Sequence, residues 1–148
     1  MTGRVVSVNV SDVKGVPKHE VEAIHLVEGH GVQGDAHAGA WHRQVSLLAE
    51  ESIDRMRALG LNGLARGAFG ENINTIGLDL CALPVGTRLR AGETVLEITQ
   101  IGKECHNGGC AIRQATGKCV MPTDGVFAVV ITGGILRAGD EIEILRER

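Results

Sequence analysis

The chain has no tyrosine, one tryptophan and two phenylalanines among its 148 residues. So few aromatic rings leave little on which nucleic-acid bases could stack. Positive charge is not in excess either: 15 basic residues stand against 18 acidic ones, a net charge of −3, with the basic side chains scattered among acids. A phosphate backbone finds no electrostatic track here, so nucleic acid is not an expected partner. No stretch approaches the ~18 apolar residues of a membrane-spanning helix. The opening MTGRVVSVNVSDVKGVPKHE alternates apolar and polar residues and lacks the apolar core of a signal peptide. The expectation is a soluble, cytoplasmic protein with no membrane partner. Proline is sparse, at three residues, whereas glycine reaches 21, about twice its usual share. That balance favours many tight turns over a disordered linker.

What is present reads as one domain spanning residues 1–148, long enough to bury roughly two thirds of its unfolded surface without covalent staples. Arg4 to Val10, Val21 to Val27, Thr94 to Ile101, Gly125 to Thr132 and Glu141 to Leu145 combine β-branched residues with short alternation, the pattern of half-buried strands. One amphipathic helix is expected over Ala49 to Leu59, where Ile53, Met56 and Leu59 recur at helical spacing, acids open the segment and Gly60 follows it. A further helical turn is expected over Ile112 to Ala115. LRAGETVLEI (Leu89 to Ile98) and LRAGDEIEI (Leu136 to Ile144) echo one another. Two copies of Ala-Gly-acid between apolar residues predict similar hairpins or barrel corners rather than a solenoid. The fold class is therefore mainly β, a closed or nearly closed barrel with one clear α-helix and one or two short helical turns. Oligomeric state is not specified.

Three of the four cysteines fall in GKECHNGGCAIRQATGKC, from Gly102 to Cys119. In a reducing compartment such a cluster is more often metal-binding or catalytic than cross-linked. As a zinc site, Cys105 and Cys110 would form one pair, and Cys119 with His106, His37 or His42 the other, although the second pair lacks knuckle spacing. As a reactive sulfur centre, Cys105 would be the thiolate and Cys110 the second thiol within reach, with Lys103, His106, Arg113 and Lys118 as nearby cations. Asn107-Gly108-Gly109 can curl so that backbone amides face an anion. Cys119, before an apolar VMP, and Cys81, in LDLCALP, also read as small buried residues.

A second loop, GHGVQGDAHAGAWHRQ (Gly29 to Gln44), is rich in glycine and histidine. Asp35, His37, His42 and Arg43 are its candidate pocket residues: Arg43 as a fork for phosphate, Asp35 as the group that holds an imidazole tautomer. His19, His25 and His30 read as solvated.

GVQGDAHAG (Gly31 to Gly39), RQVSLLAEESI (Arg43 to Ile53), GAFGENINTIGLDL (Gly67 to Leu80), LPVGTRLRAGETVLEITQIGKEC (Leu83 to Cys105) and GGILRAGDEI (Gly133 to Ile142) together resemble the MOSC domain, named after the C-terminal domain of molybdenum-cofactor sulfurases. The resemblance spans nearly the whole chain and implies a stand-alone MOSC-type β-barrel. It implies a role in sulfur or molybdenum-cofactor metabolism, with Cys105 or Cys110 carrying sulfur as a persulfide or ligating molybdenum of the cofactor. Gly34, Asp35, His37, Arg43, Glu71 and Asn72 match the family's pocket-forming motifs, and Glu71 and Asn72 also suit a purely structural hydrogen-bonding role. The molybdenum cofactor is thus the implied cofactor and zinc the alternative. A chain of this length leaves no room for a pyridoxal-phosphate domain. A separate cysteine desulfurase is then the expected sulfur donor, and the molybdenum cofactor or a molybdoenzyme the acceptor.

Overall fold

The computed structural model describes residues 2–14, 16–58, 66–102 and 124–145. In chain order the elements are β1 (Thr2–Val10), β2 (His19–Val21), β3 (Ala23–Val27), β4 (Gly31–Val32), β5 (Val45–Ala49), α1 (Glu50–Ala58), β6 (Ile73–Ile76), a 3-10 turn (Leu80–Ala82), β7 (Arg88–Ala91), β8 (Thr94–Ile101), β9 (Val126–Thr132), β10 (Gly134–Arg137) and β11 (Glu141–Ile144). Seven strands close on themselves in the order β1-β11-β7-β8-β9-β5-β6, with β2 paired to the side of β1, and β10-β3-β4 form a small second sheet. Closure leaves no long unpaired edge among the seven. The expected barrel is the observed one.

Every pairing in the ring is antiparallel except β5 with β6, which are parallel. Parallel neighbours need a crossover, and α1 lies within it and packs against both strands. The helix is well formed for this position, since Glu50 and Glu51 open the first turn, Arg55 and Arg57 close the last, and Ile53 is fully buried. The helix found is close to the one expected; Leu59, Gly60 and the Met56 side chain lie outside what is described, as does the helical turn expected over Ile112 to Ala115.

β5 (VSLLA) is buried on both faces and so carries no apolar–polar alternation that would mark it as a strand. The stretch expected as one strand, Val21 to Val27, is two, because the chain bends at Glu22 and passes from the barrel into the small sheet. The core fills the barrel, with Val8, Leu47, Ile73, Leu89, Leu96 and Ile98 at 1% exposure or less.

The two echoed segments part company in space. Between β7 and β8 the connection is a two-residue hairpin turn opened by Gly92 at φ +57°, the positive value that a type II′ turn needs at its first position. Between β10 and β11 the same motif makes a corner: β10 pairs with β3, whereas β11 returns to the barrel beside β1 and β7. The corner rests on β1 through Gly139 N to Val5 O (2.7 Å) and Val5 N to Asp140 O (2.8 Å). Local sequence chose the turn; the neighbouring strand chose whether its arms pair.

Candidate functional site

The GAFGEN motif lies where β1, β5 and β6 converge. Asn72 accepts from Ser46 N through its Oδ1 (3.0 Å) and donates through Nδ2 to Asn9 O (3.2 Å). The Glu71 carboxylate accepts from Gly67 N (3.0 Å), Phe69 N (3.0 Å) and Asn74 Nδ2 (2.8 Å). Asn74 Oδ1 in turn accepts from Ser7 Oγ (2.7 Å) and Asn9 Nδ2 (2.9 Å). Glu71 and Asn72 are both fully buried, so neither faces a cavity wall; they fasten the strands. Burial pushes the Glu71 carboxyl up, against the opposing pull of its donors.

Gly67 ties this network to a second one. Lys18 N donates to Gly67 O (2.8 Å), and a Cβ on Gly67, at φ +88°, would collide with the Lys18 carbonyl. The Lys18 side chain is wholly buried, and its Nζ lies 2.9 Å from Asp35 Oδ1 and 3.1 Å from His37 Nδ1. Asp35 further accepts from Ser11 N (3.1 Å) and His37 N (3.0 Å). Burial alone would raise the Asp35 carboxyl; the Lys18 ammonium and these two amides outweigh it and hold the group below its ordinary range. Asp35 Oδ2 is 3.9 Å from His37 Nδ1, beyond hydrogen-bonding distance. The sequence expectation that Asp35 orients an imidazole is thus modified: Lys18 stands between them. Nothing in the local sequence VPKHE distinguishes Lys18 from a solvated lysine.

His37 is partly exposed and lines a cavity of about 310 Å³ with Lys14, Trp41, Arg43 and Phe127. Trp41 is held by Nε1 donating to His37 O (2.8 Å). The Arg43 guanidinium sits 4.6 Å from the Trp41 ring centroid and 5.7 Å from that of Phe127, and Lys14 Nζ lies 5.6 Å from Trp41. Arg43 Nε is buried with no hydrogen-bond partner among the described residues. A buried donor left without an acceptor costs about 1–3 kcal/mol, so the site is suited to a ligand that brings one. Lys14, Trp41 and Phe127 had no sequence signal beyond the single tryptophan standing two residues before Arg43.

Through Phe127 the cavity borders the start of β9, the strand that follows residues 103–123. Gln100 is paired with Phe127, and Gly102 N donates to Gly125 O (2.6 Å). His42 is exposed and does not line the cavity; its Nε2 meets Gln100 Oε1 at 2.8 Å, and Thr99 Oγ1 donates to His42 O. These bonds fasten the histidine loop to the end of β8, a few residues before Cys105 in sequence. Cys105, His106, Cys110, Cys119, Lys103, Arg113 and Lys118 themselves lie outside the described residues.

Cys81 is exposed, contrary to its reading as a small buried residue, because Leu80 takes the inward position of the 3-10 turn. Its thiol donates to Asp124 O (3.3 Å) beside a groove of about 470 Å³ that runs between α1 and this turn. Burial, then the charges of Asp124 and Asp79, push the thiol pKa up, with Arg55 opposing. It is a poor thiolate despite its exposure. No helix among the described residues is long and apolar enough to cross a membrane.

Comparison with known structures gives matches over almost the whole chain. The YuaD protein from Bacillus subtilis superimposes with a TM-score of 0.81 at 20% identity, covering 97% of this chain and 96% of that one. YiiM from Geobacillus stearothermophilus gives 0.75 at 18% identity, covering 97% and 75%, and YiiM from Escherichia coli 0.67 at 22% identity, covering 100% and 71%. At these identities the likeness is one of fold. Comparison with curated sequences returned no significant match. The family model of the MOSC domain matches residues 34–143, which include Asp35, His37, Trp41 and Arg43 of the cavity loop, the GAFGEN motif, the strands β5 to β10 and all but the last residue of β11. This chain belongs to the MOSC-domain family.

Proposed function

We propose that this MOSC-domain protein handles sulfur and an anionic cofactor, with Cys105 as the working sulfur and Cys110 as its partner thiol. The observation that carries the reading is Arg43: a buried Nε without a hydrogen-bond partner among the described residues, on a guanidinium close to the rings of Trp41 and Phe127, with Lys14 on the same cavity wall. Such a wall fits an anionic group with a flat ring system that can lie against aromatic side chains, and the phosphate-bearing pterin of the molybdenum cofactor is a group of that kind. When bound, the cofactor would supply a molybdenum centre open to a thiolate or sulfur ligand. The chain supplies the rest: Arg43 and Lys14 hold the anion, Trp41 and Phe127 exclude water, and Lys103 and Arg113, close to the cysteines in sequence, add positive charge.

As a sulfur carrier, the Cys105 thiolate attacks the outer sulfur of a donor persulfide. A new S–S bond forms as the donor's breaks, and the donor leaves as a thiolate, so no oxidant is consumed. A cysteine desulfurase is the donor class that chemistry calls for.

Intact mass spectrometry before and after incubation with a cysteine desulfurase and free cysteine tests the reading. The expected result is a reductant-labile adduct of one sulfur on Cys105 or Cys110, lost in Cys105→Ser, or molybdenum and pterin retained by the purified protein. Near-stoichiometric zinc on Cys105, Cys110, Cys119 and His106, with neither adduct nor pterin, would replace this reading by a structural metal site.

A further inference from the structure

We infer that Lys18 is a positioning residue that holds His37 as the Nε2–H tautomer, so that the far nitrogen of the imidazole is a hydrogen-bond donor and not a proton acceptor. Lys18 Nζ lies 2.9 Å from Asp35 Oδ1 and 3.1 Å from His37 Nδ1, with the lysine and aspartate side chains wholly buried. An ammonium carries donors only. The Lys18 ammonium is paired with the Asp35 carboxylate, and its contact with His37 obliges Nδ1 to accept. The ring's own proton is left on Nε2, the nitrogen directed away from Lys18.

The arrangement departs from the usual one, in which a carboxylate accepts from Nδ1 and leaves the far nitrogen basic or metal-binding. Here Asp35 Oδ2 is 3.9 Å from Nδ1, too far to accept from it, and directs its lone pairs to Lys18 and to the amides of Ser11 and His37. The lysine interposed between acid and imidazole inverts the polarity of the ring. Lys14 and Arg43 share the cavity with His37, so among the described residues the basic side chains on its wall are all donors. That the ligand is an anion rests on the function proposed above; the tautomer does not.

Long-range proton–nitrogen correlation spectra of the full chain labelled with 15N-histidine decide the matter, with His37→Gln assigning the resonances. The expected result near neutral pH is a pyridine-like Nδ1 and a pyrrole-like Nε2 for His37. Lys18→Met should reverse the pattern or protonate both nitrogens, because the donor that obliges Nδ1 to accept is gone and the Asp35 carboxylate, 3.9 Å away, is left as the charge facing the ring. A pyrrole-like Nδ1 in the wild-type protein would overturn the inference without recourse to any variant. So would an unchanged pattern in folded Lys18→Met. Persulfide loading is read separately, so a correct tautomer with no sulfur adduct or cofactor would sink the proposed function alone.

Discussion

Lys18 Nζ stands 2.9 Å from Asp35 Oδ1, and both side chains are completely withdrawn from solvent. The pair joins the β1–β2 connection to the cavity loop, and its amide neighbours Ser11 and His37 complete the carboxylate's shell. Removing either partner would strand the other charge, which for a buried pair costs about 3–5 kcal/mol. Lys18→Met and Asp35→Asn should each lower the urea midpoint by a corresponding amount, and the double variant should recover much of the loss. A loss in the double variant equal to the sum of the two single losses would show that the pair is not coupled.

The same pair sets an acid limit. Asp35 has its folded pKa depressed, so its contribution to stability is present above the unfolded value of ~3.9 and disappears as pH falls through the lower folded value. The stability gap between wild type and Asp35→Asn should therefore be constant from neutrality down to about pH 5 and close below that. Denaturant titrations at stepped pH read it; a gap that widens in acid contradicts the assignment.

Glu71 works in the opposite sense. Burial raises its carboxyl, so its contribution is fully present below the unfolded value of ~4.3 and declines as pH rises through the folded one. Glu71→Gln turns an amide donor toward either Gly67 N and Asn74 Nδ2 or Phe69 N, and should cost about 1–3 kcal/mol for the buried donors it strands. The advantage of wild type over this variant should shrink with increasing pH. A pH-independent difference would mean that Glu71 does not titrate differently in the folded and unfolded states.

Gly67→Ala forces a side chain into the left-handed region at φ +88° and against the Lys18 carbonyl. A loss of about 1–3 kcal/mol is expected. Because the displaced backbone is that of Lys18, His37 resonances should move as well. Loss of stability with those resonances unmoved would separate the two networks.

Arg43→Ala should weaken binding of inorganic phosphate by about tenfold or more, as expected for a charged hydrogen-bond donor. Arg43→Lys should restore little, since an ammonium provides neither the planar stack on Trp41 nor the Nε–H. Calorimetric titration measures both. Full recovery by lysine would reduce Arg43 to a point charge.

Much of the fold was legible along the chain. Alternation marked β1, β8, β9 and β11, helical spacing with acidic and basic ends marked α1, and Ala-Gly-acid marked two tight turns. These signals are local, because strand pleat, helix period and turn conformation are decided within a few residues. Residue type and loop context singled out His37 and Arg43, which line the cavity, and Asp35, which is buried beside it. β5 was not: a strand buried on both faces has the composition of any apolar run. Whether an Ala-Gly-acid turn closes a hairpin or rounds a corner was also undecided until β3 claimed β10. Lys18 is the clearest case. Along the chain it is 17 residues from Asp35 and indistinguishable from a surface lysine. Only the packing of the β1–β2 connection under the cavity loop takes it out of water and places its ammonium between a carboxylate and an imidazole. Burial there gives the lysine an electrostatic role that residue identity alone could not supply.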